Sequence, residues 1–539
     1  MVFNPKQLTT VAALLSVSTT HAYYAQKSQT PPSKEEKVSP REKTVLPKEK
    51  DVTPSTSDIY VTLKDTGDNA INSINTNMEP IEPLGPDGSS GISINSESRT
   101  AQVEAMVDSL KTNMIESEKE IQTFLNAKDP STGRRLQTHT RSKSFYISNG
   151  VFIKDATENM IRELKKLNSV LSVQSDEIDF EFETPTNITN DQQSIQNSKT
   201  TWGVAKLGAP SLWDQGLDGE GIIVGGIDTG VRGSHSILKA NYRGDYGWFD
   251  PYQGSSIPND QNGHGTHTMG TSVGLRGFGV APGAKWMACK GCSTNGCSRS
   301  ALNACAEFML CPTKPDGSGQ DCSKAPHVIN NSWGGGQNDM WFLRSVEAWR
   351  AAGIVPVFSI GNSGRQGCGS ANSPGDYPNV ISVGNTKKGD EIAAGSSKGP
   401  TVKDRSIAPS VSAPGTDVES AYPSSDNGVA YMTGTSMAAP HVTGLIAIML
   451  QKRPDMHTGN IIWYLQNHSD QDVNFGKPVG RTCERKTFPN NQFGYGIVQE
   501  NNVDEIPYKN QCLWKSDQGG CLPKDICYWS WSEWQCTKN

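Results

Sequence analysis

Ile222-Ile223-Val224-Gly225-Gly226-Ile227-Asp228-Thr229-Gly230 is a short apolar run that ends on an acid and then on a glycine turn. A run of this length, bounded by turn signals, reads as a buried strand. The pattern recurs further along. Val328–Asn330, Ile354–Ile360 and Val380–Val383 are also short and apolar, whereas Ser298–Leu310, Met340–Ala352 and Ser436–Leu450 have helical character. Strand and helix in alternation from about 200 to 505 predict an α/β domain on a mostly parallel sheet, with functional residues at strand ends and in loops.

Upstream the pattern changes twice. Residues 23–100 are rich in Lys, Glu, Ser, Thr, Pro and Asn, a composition that cannot bury enough apolar area to offset ordering entropy, so a disordered linker is expected there. Over 101–183, Val103, Met106, Val107 and Leu110 have helical spacing. Phe145, Ile147, Val151 and Ile153 alternate, Met160, Leu164 and Leu167 return to helix, and Val170–Val173 suit a strand. A small α+β unit is expected. The polar stretch 184–199 follows, carrying the sequon Asn187-Ile188-Thr189, and reads as an exposed, cleavable linker. Asn330-Asn331-Ser332 and Asn467-His468-Ser469 are further sequons.

Residues 1–22 pair Lys6 with a short apolar run and small residues up to Ala22, the form of a secretion leader too short to span a bilayer. The 12 cysteines, even in number and none before Cys289, agree with export and favour disulfides; the pair Cys289 and Cys292 leaves zinc as a lesser alternative. Spacing does not give their connectivity. In the tail, 506–539, Cys512, Cys521, Cys527 and Cys536 surround Trp529, Trp531 and Trp534. The tail reads as a disulfide-stapled end, with a carbohydrate- or protein-binding appendage as the alternative. A net charge of −6 over 539 residues gives no basic surface for nucleic acid.

Three local signals supply what amide hydrolysis by a serine needs: an accessible hydroxyl, a histidine to take its proton and a carboxylate to hold that histidine. Gly226-Ile227-Asp228-Thr229-Gly230 ends a strand with a rigidly held acid. Asn262-Gly263-His264-Gly265-Thr266-His267 places a histidine among glycines before a helix. Gly434-Thr435-Ser436-Met437-Ala438-Ala439-Pro440-His441 places a serine where free N–H groups and the helix dipole favour an oxyanion.

In that order and wording the three segments resemble the subtilisin family of serine proteases. Val328–Gly336 and the long insert before it most resemble the bacillopeptidase F branch; the crowded cysteines between His264 and Asn331 depart from it. The resemblance implies a parallel sheet with helices on both faces, preceded by an inhibitory α+β pro-segment at 101–183. It implies Ser436 as nucleophile, His264 as general base and then acid, and Asp228 as the residue that fixes the imidazole. Phe358-Ser359-Ile360-Gly361-Asn362-Ser363-Gly364 matches the family's oxyanion-hole motif and implies Asn362 as a donor. Ser332, Trp333 and Gly334 would pair with an extended substrate, and Asn372 would lie near the floor of the specificity pocket.

Broad-specificity hydrolysis of protein or peptide substrates by a secreted, self-processing monomer follows from the resemblance. No cofactor is needed for the chemistry. Structural calcium is implied by the family alone, with Asp376 and Asp404 among the candidate acids. Two other functions use the same residues: a peptide ligase or cyclase working through the same acyl-enzyme, and an inactive binding scaffold. His235, His267 and His441 read as structural.

Overall fold

The computed structural model describes residues 56–65, 96–127, 141–178, 180, 182–190, 199–454, 456, 458–475 and 487–500, with backbone alone at 96–99, 526–530 and 533–537. The leader expected at 1–22 and most of the tail lie outside these residues, as do Cys512 and Cys521.

The spacer expected over 23–100 is interrupted by order. Thr56–Leu63 form strand β1, an inner strand of an antiparallel sheet in the order β2-β3-β1-β4, with β2 at Ser142–Phe145, β3 at Gly150–Thr157 and β4 at Val170–Ser175. The run Ile59-Tyr60-Val61-Thr62-Leu63 consists of strand-forming residues that are all buried; the long polar stretch around it hides it in an average. Helix α1 (Ser96–Ser117) also starts before the boundary at 101, and α2 (Lys119–Leu125) and α3 (Glu158–Leu164) complete the unit. Ile59, Val61, Met114, Ile121, Val151, Ile153 and Leu164 form its own core.

Beyond it, β5 (Glu177–Ile178) pairs with β10 (Cys297–Ser298). The polar stretch 184–199 contains β6 (Thr186–Thr189), which is exposed and pairs antiparallel with β16 (Val429–Met432); pairing at a sheet edge uses backbone groups and does not need apolar side chains.

The large unit is a seven-stranded sheet, ordered β14-β13-β12-β11-β7-β9-β8 and parallel throughout: β7 Ile223–Asp228, β8 Trp248–Phe249, β9 Lys285–Lys290, β11 Val328–Asn331, β12 Val355–Ser359, β13 Ile381–Thr386 and β14 Val411–Pro414. Neighbouring residues on a strand serve opposite faces. Trp286, Val328 and Val357 join the core under α6 (His264–Val273) and α9 (Thr435–Lys452). Met287, Ile329 and Phe358 join the core under α7 (Arg299–Leu310) and α8 (Leu343–Ala351). The doubly covered α/β sheet expected from sequence is therefore the observed one. Short helices α4 (Trp202–Lys206) and α5 (Ala209–Asp214) precede it, β15 (Val418–Ala421) pairs with β16, and α10 (Thr458–His468) follows. In the tail, hairpin β17 (Ile526–Ser530) and β18 (Glu533–Thr537) sets Cys527 opposite Cys536.

The two units share a core, in which Val103, Met106, Val107 and Leu110 of α1 pack with Phe308 and Met309 of α7. Ser298 caps α7 by accepting from Ala301 N–H at 3.2 Å, and Asp176 of the small unit reaches the same first turn, its carboxylate accepting from Ser300 N–H at 2.8 Å and Ser300 Oγ at 2.7 Å. Arg299 Nη1 donates back to the carbonyls of Ser175 and Glu177 at 2.7 and 3.0 Å.

The crowded cysteines form the disulfides Cys289–Cys305, Cys292–Cys297 and Cys311–Cys322, and Cys368 is also disulfide-bonded. Both members of the pair that left zinc open are thus spent on disulfides.

Candidate active site

Asp228 is the last residue of β7, at the carboxyl edge of the sheet and 5 % exposed. Its Oδ1 accepts from Thr229 N–H at 2.7 Å and from His264 Nδ1 at 2.7 Å, and its Oδ2 accepts from Thr268 Oγ1 at 3.3 Å. Three donors hold this buried side chain in one position.

His264 opens α6 and is fully buried. The loop before it is organised by Asp260. One oxygen of Asp260 accepts from Thr229 Oγ1, Asn262 N–H and Gly263 N–H at 2.8–3.0 Å, and the other accepts from Thr266 N–H and Thr266 Oγ1 at 2.9 and 2.6 Å. Gly263 takes φ 108°, which a side chain would strain. A Cβ at Gly265 would collide with the carbonyl of Gly230 and with Asp228, so only glycine lets the helix approach the acid this closely. The sequence reading found these glycines but not Asp260, whose side chain serves positions two to six residues downstream as well as Thr229.

Ser436 lies in the first turn of α9 and its Oγ donates to the Ser332 carbonyl at 3.2 Å. Pro440, within the same helix, has no N–H for the carbonyl of Ser436, and that carbonyl instead accepts from Ser332 Oγ at 2.8 Å. The helix start is thus tied to the strand end at β11. Asn362 follows β12. Its Oδ1 accepts from Thr435 N–H at 3.0 Å and Thr435 Oγ1 at 3.1 Å, which turns its amide nitrogen towards the cleft.

The groups converge on one carboxylate that sequence reading did not single out. Glu183 Oε2 bonds His264 Nε2 at 2.8 Å, Oε1 accepts from Asn362 Nδ2 at 2.8 Å, and the Ser436 hydroxyl lies beside the same side chain. Only 7 % of the Glu183 side chain is exposed. Phe180 and Phe182 bring the chain in, with ring centres 6.3 and 5.3 Å from the imidazole. Burial would lower the pKa of His264, but the charges of Asp228 and Glu183 outweigh it and hold the ring well above its usual value. Burial works the other way on Glu183, where the His264 charge and the hydrogen bonds win and hold the carboxyl below its usual range.

Ser332, Trp333 and Gly334 follow β11. The Trp333 side chain is buried against Trp341, Phe342 and Phe358, as a bulky aromatic beside a packed core is, so main-chain pairing is the contact expected of it in the cleft. The Asn372 side chain donates to the Gly336 carbonyl at 3.0 Å and accepts from Ser363 Oγ at 3.3 Å. His235 Nε2 bonds the Gly428 carbonyl at 2.7 Å, His267 Nε2 those of Val418 and Ala430, and His441 Nδ1 that of Met437. Burial pushes His267 down to about 3 and His441 to about 4, which keeps both neutral.

Asp376 accepts from Asn338 N–H at 2.7 Å and Asp404 from Thr401 Oγ1 at 2.5 Å. Both acids are thus engaged within the protein. No group of three or more His, Cys, Asp or Glu side chains suited to a metal occurs among the described residues.

A parallel α/β sheet that gathers Asp, His and Ser, in that chain order, beside an amide donor defines a serine hydrolase of the subtilisin type. The profile of the peptidase S8 subtilase family matches residues 219–496. Bacillopeptidase F of Bacillus subtilis (strain 168) is 33% identical over 439 residues, covering 77% of this chain and 29% of that protein. Subtilisin BL of Lederbergia lenta is 33% identical over 270 residues, which cover 49% of this chain and 90% of that protein. Subtilisin DY of Bacillus licheniformis is 34% identical over 266 residues, covering 48% and 88%. The chain belongs to the subtilase family and is by class a serine endopeptidase. It spans less than a third of the length of Bacillopeptidase F.

Proposed function

We propose that the chain is a secreted endopeptidase, made as a self-processing precursor, that cuts peptide bonds of broad sequence through Asp228, His264 and Ser436. The observation that carries this reading is the 2.7 Å bond from Asp228 Oδ1 to His264 Nδ1, which aims Nε2 into the same small space that receives the Asn362 amide and the Ser436 hydroxyl.

With that space vacated by Glu183, neutral His264 takes the Ser436 proton on Nε2 as Oγ attacks the carbonyl carbon of the scissile bond. Asp228 stabilises the resulting imidazolium. The oxyanion is met by Asn362 Nδ2 and by the N–H of Ser436 at the positive end of α9. His264 then returns the proton to the leaving amine, and a water activated by the same nitrogen releases the acyl-enzyme. Main-chain pairing along Ser332–Gly334 ignores side chains, which supports broad specificity. Asn372 would border the pocket for the residue before the cut. No helix among the described residues is long and apolar enough to cross a membrane.

The test is covalent labelling with a fluorophosphonate, which reacts with activated serines, followed by peptide mapping. A single adduct on Ser436, lost in Ser436→Ala, is expected. An unlabelled but folded and processed chain would favour a silent scaffold. Ligase activity is checked by supplying an amine nucleophile and looking for coupled rather than hydrolysed product.

A further inference from the structure

Glu183 occupies the cleft in a way no substrate does. A substrate offers the neutral oxygen of its scissile carbonyl to the oxyanion donors and keeps its side chains to either side. Here a charged side-chain oxygen takes the Asn362 amide, and its twin takes His264 Nε2. Both ring nitrogens of His264 therefore face a carboxylate, Asp228 at 2.7 Å and Glu183 at 2.8 Å. Carboxylates accept only, so both nitrogens must donate and the ring must be the imidazolium. An imidazolium has no lone pair with which to take the proton of Ser436. A Cβ at Gly434 would run into Glu183 Oε1, so that glycine leaves the seat open.

Resting on the reading that Asp228, His264 and Ser436 are catalytic, we propose that the Glu183 side chain is a built-in carboxylate ligand of the site, filling the oxyanion position and locking the base in its protonated form in the uncut chain. The contact blocks catalysis twice over, by occupancy and by charge. The same two donors would accept a carboxylate from another molecule once the segment leaves.

The lock depends on pH in a definite direction. Glu183, held low, contributes above its usual carboxyl range and is lost only as pH falls through its depressed value; His264, held high, contributes below its usual value and is lost as pH rises through its raised one. Lowering the pH breaks the lock but leaves the base protonated, so only alkaline release yields an active site. The other charged groups around the pair do not reverse this. Asp228 on β7 favours the cation, and His267 on α6 stays neutral. Arg365 and Lys387 line the cavity beyond Glu183, where Lys387 is engaged by Glu391 at 3.3 Å.

The contact is read without catalysis in full-length Ser436→Ala protein carrying ¹³C-labelled histidine. Adding Glu183→Gln should lower the His264 titration midpoint by at least about one pH unit, a tenfold loss of proton affinity; an unchanged midpoint would overturn the proposal. The consequence is read as self-cleavage rate against pH with Ser436 intact. Wild type should speed up as pH rises from 7 towards 10, whereas Glu183→Gln should already be about tenfold faster at pH 7 and less pH-dependent. A slower Glu183→Gln would mean that the cleft reads Glu183 as a substrate side chain and would sink the lock. Glu183→Asp, which keeps charge but shortens reach, should fall between the two. If Ser436→Ala still matures, the catalytic reading fails instead, and the titration still decides the contact.

Discussion

The catalytic corner of the large unit and the segment that enters it from the small unit are built on different terms. Asp228 has three donors and Asp260 five, all from one stretch of chain between Asp228 and Thr268. Glu183 is held by the side chains of His264 and Asn362, far away in the sequence, and among the described residues from 180 to 190 strand pairing occurs only at β6. A corner that fixes itself can keep its geometry when the partner leaves. A segment that depends on the corner is the part that can come and go, which suits the self-processing precursor proposed above.

That contrast can be broken at either side. The largest effect is expected for His264→Ala, since the histidine of a subtilisin triad is worth about 10⁶ in turnover; peptide hydrolysis should fall to that extent while the fold, read by circular dichroism, stays. Asn362→Ala should lower turnover about 10²- to 10³-fold, the magnitude seen for such a donor in a subtilisin, with little change in KM. Asp260→Ala should cost about 2–3 kcal/mol, because it strands several donors of the loop before His264. Thermal unfolding checks this, and an unchanged Tm would show that the corner is not self-fixed. Asp176→Ala removes two hydrogen bonds to the first turn of α7 at the joint between the units and should cost about 1 kcal/mol in the precursor. In the processed enzyme the same comparison should show no difference, because Asp176 would have left with the small unit.

The parallel sheet and the three signals around Asp228, His264 and Ser436 were legible because each is local: a strand, a turn and a helix start whose glycines and polar residues serve the next few positions. β1 was not, since Ile59–Leu63 is a short run inside a long polar stretch and gains meaning only by pairing with β3 and β4 far along the chain. Glu183 was not legible either. A glutamate near the end of a small unit carries no local mark, and its role depends on where the chain lands after Phe180 and Phe182 pass the imidazole. Asp260 was missed because aspartates before a turn are common and only the folded loop shows five donors on one side chain.

The most direct measurement is the intact mass of the secreted protein, wild type beside Ser436→Ala, from a host without extracellular proteases of its own. Loss of the region before about residue 200 in wild type alone is the predicted result, and it would tie Ser436 to maturation from within. Equal cutting in both proteins, or none in either, would contradict a self-processing serine endopeptidase.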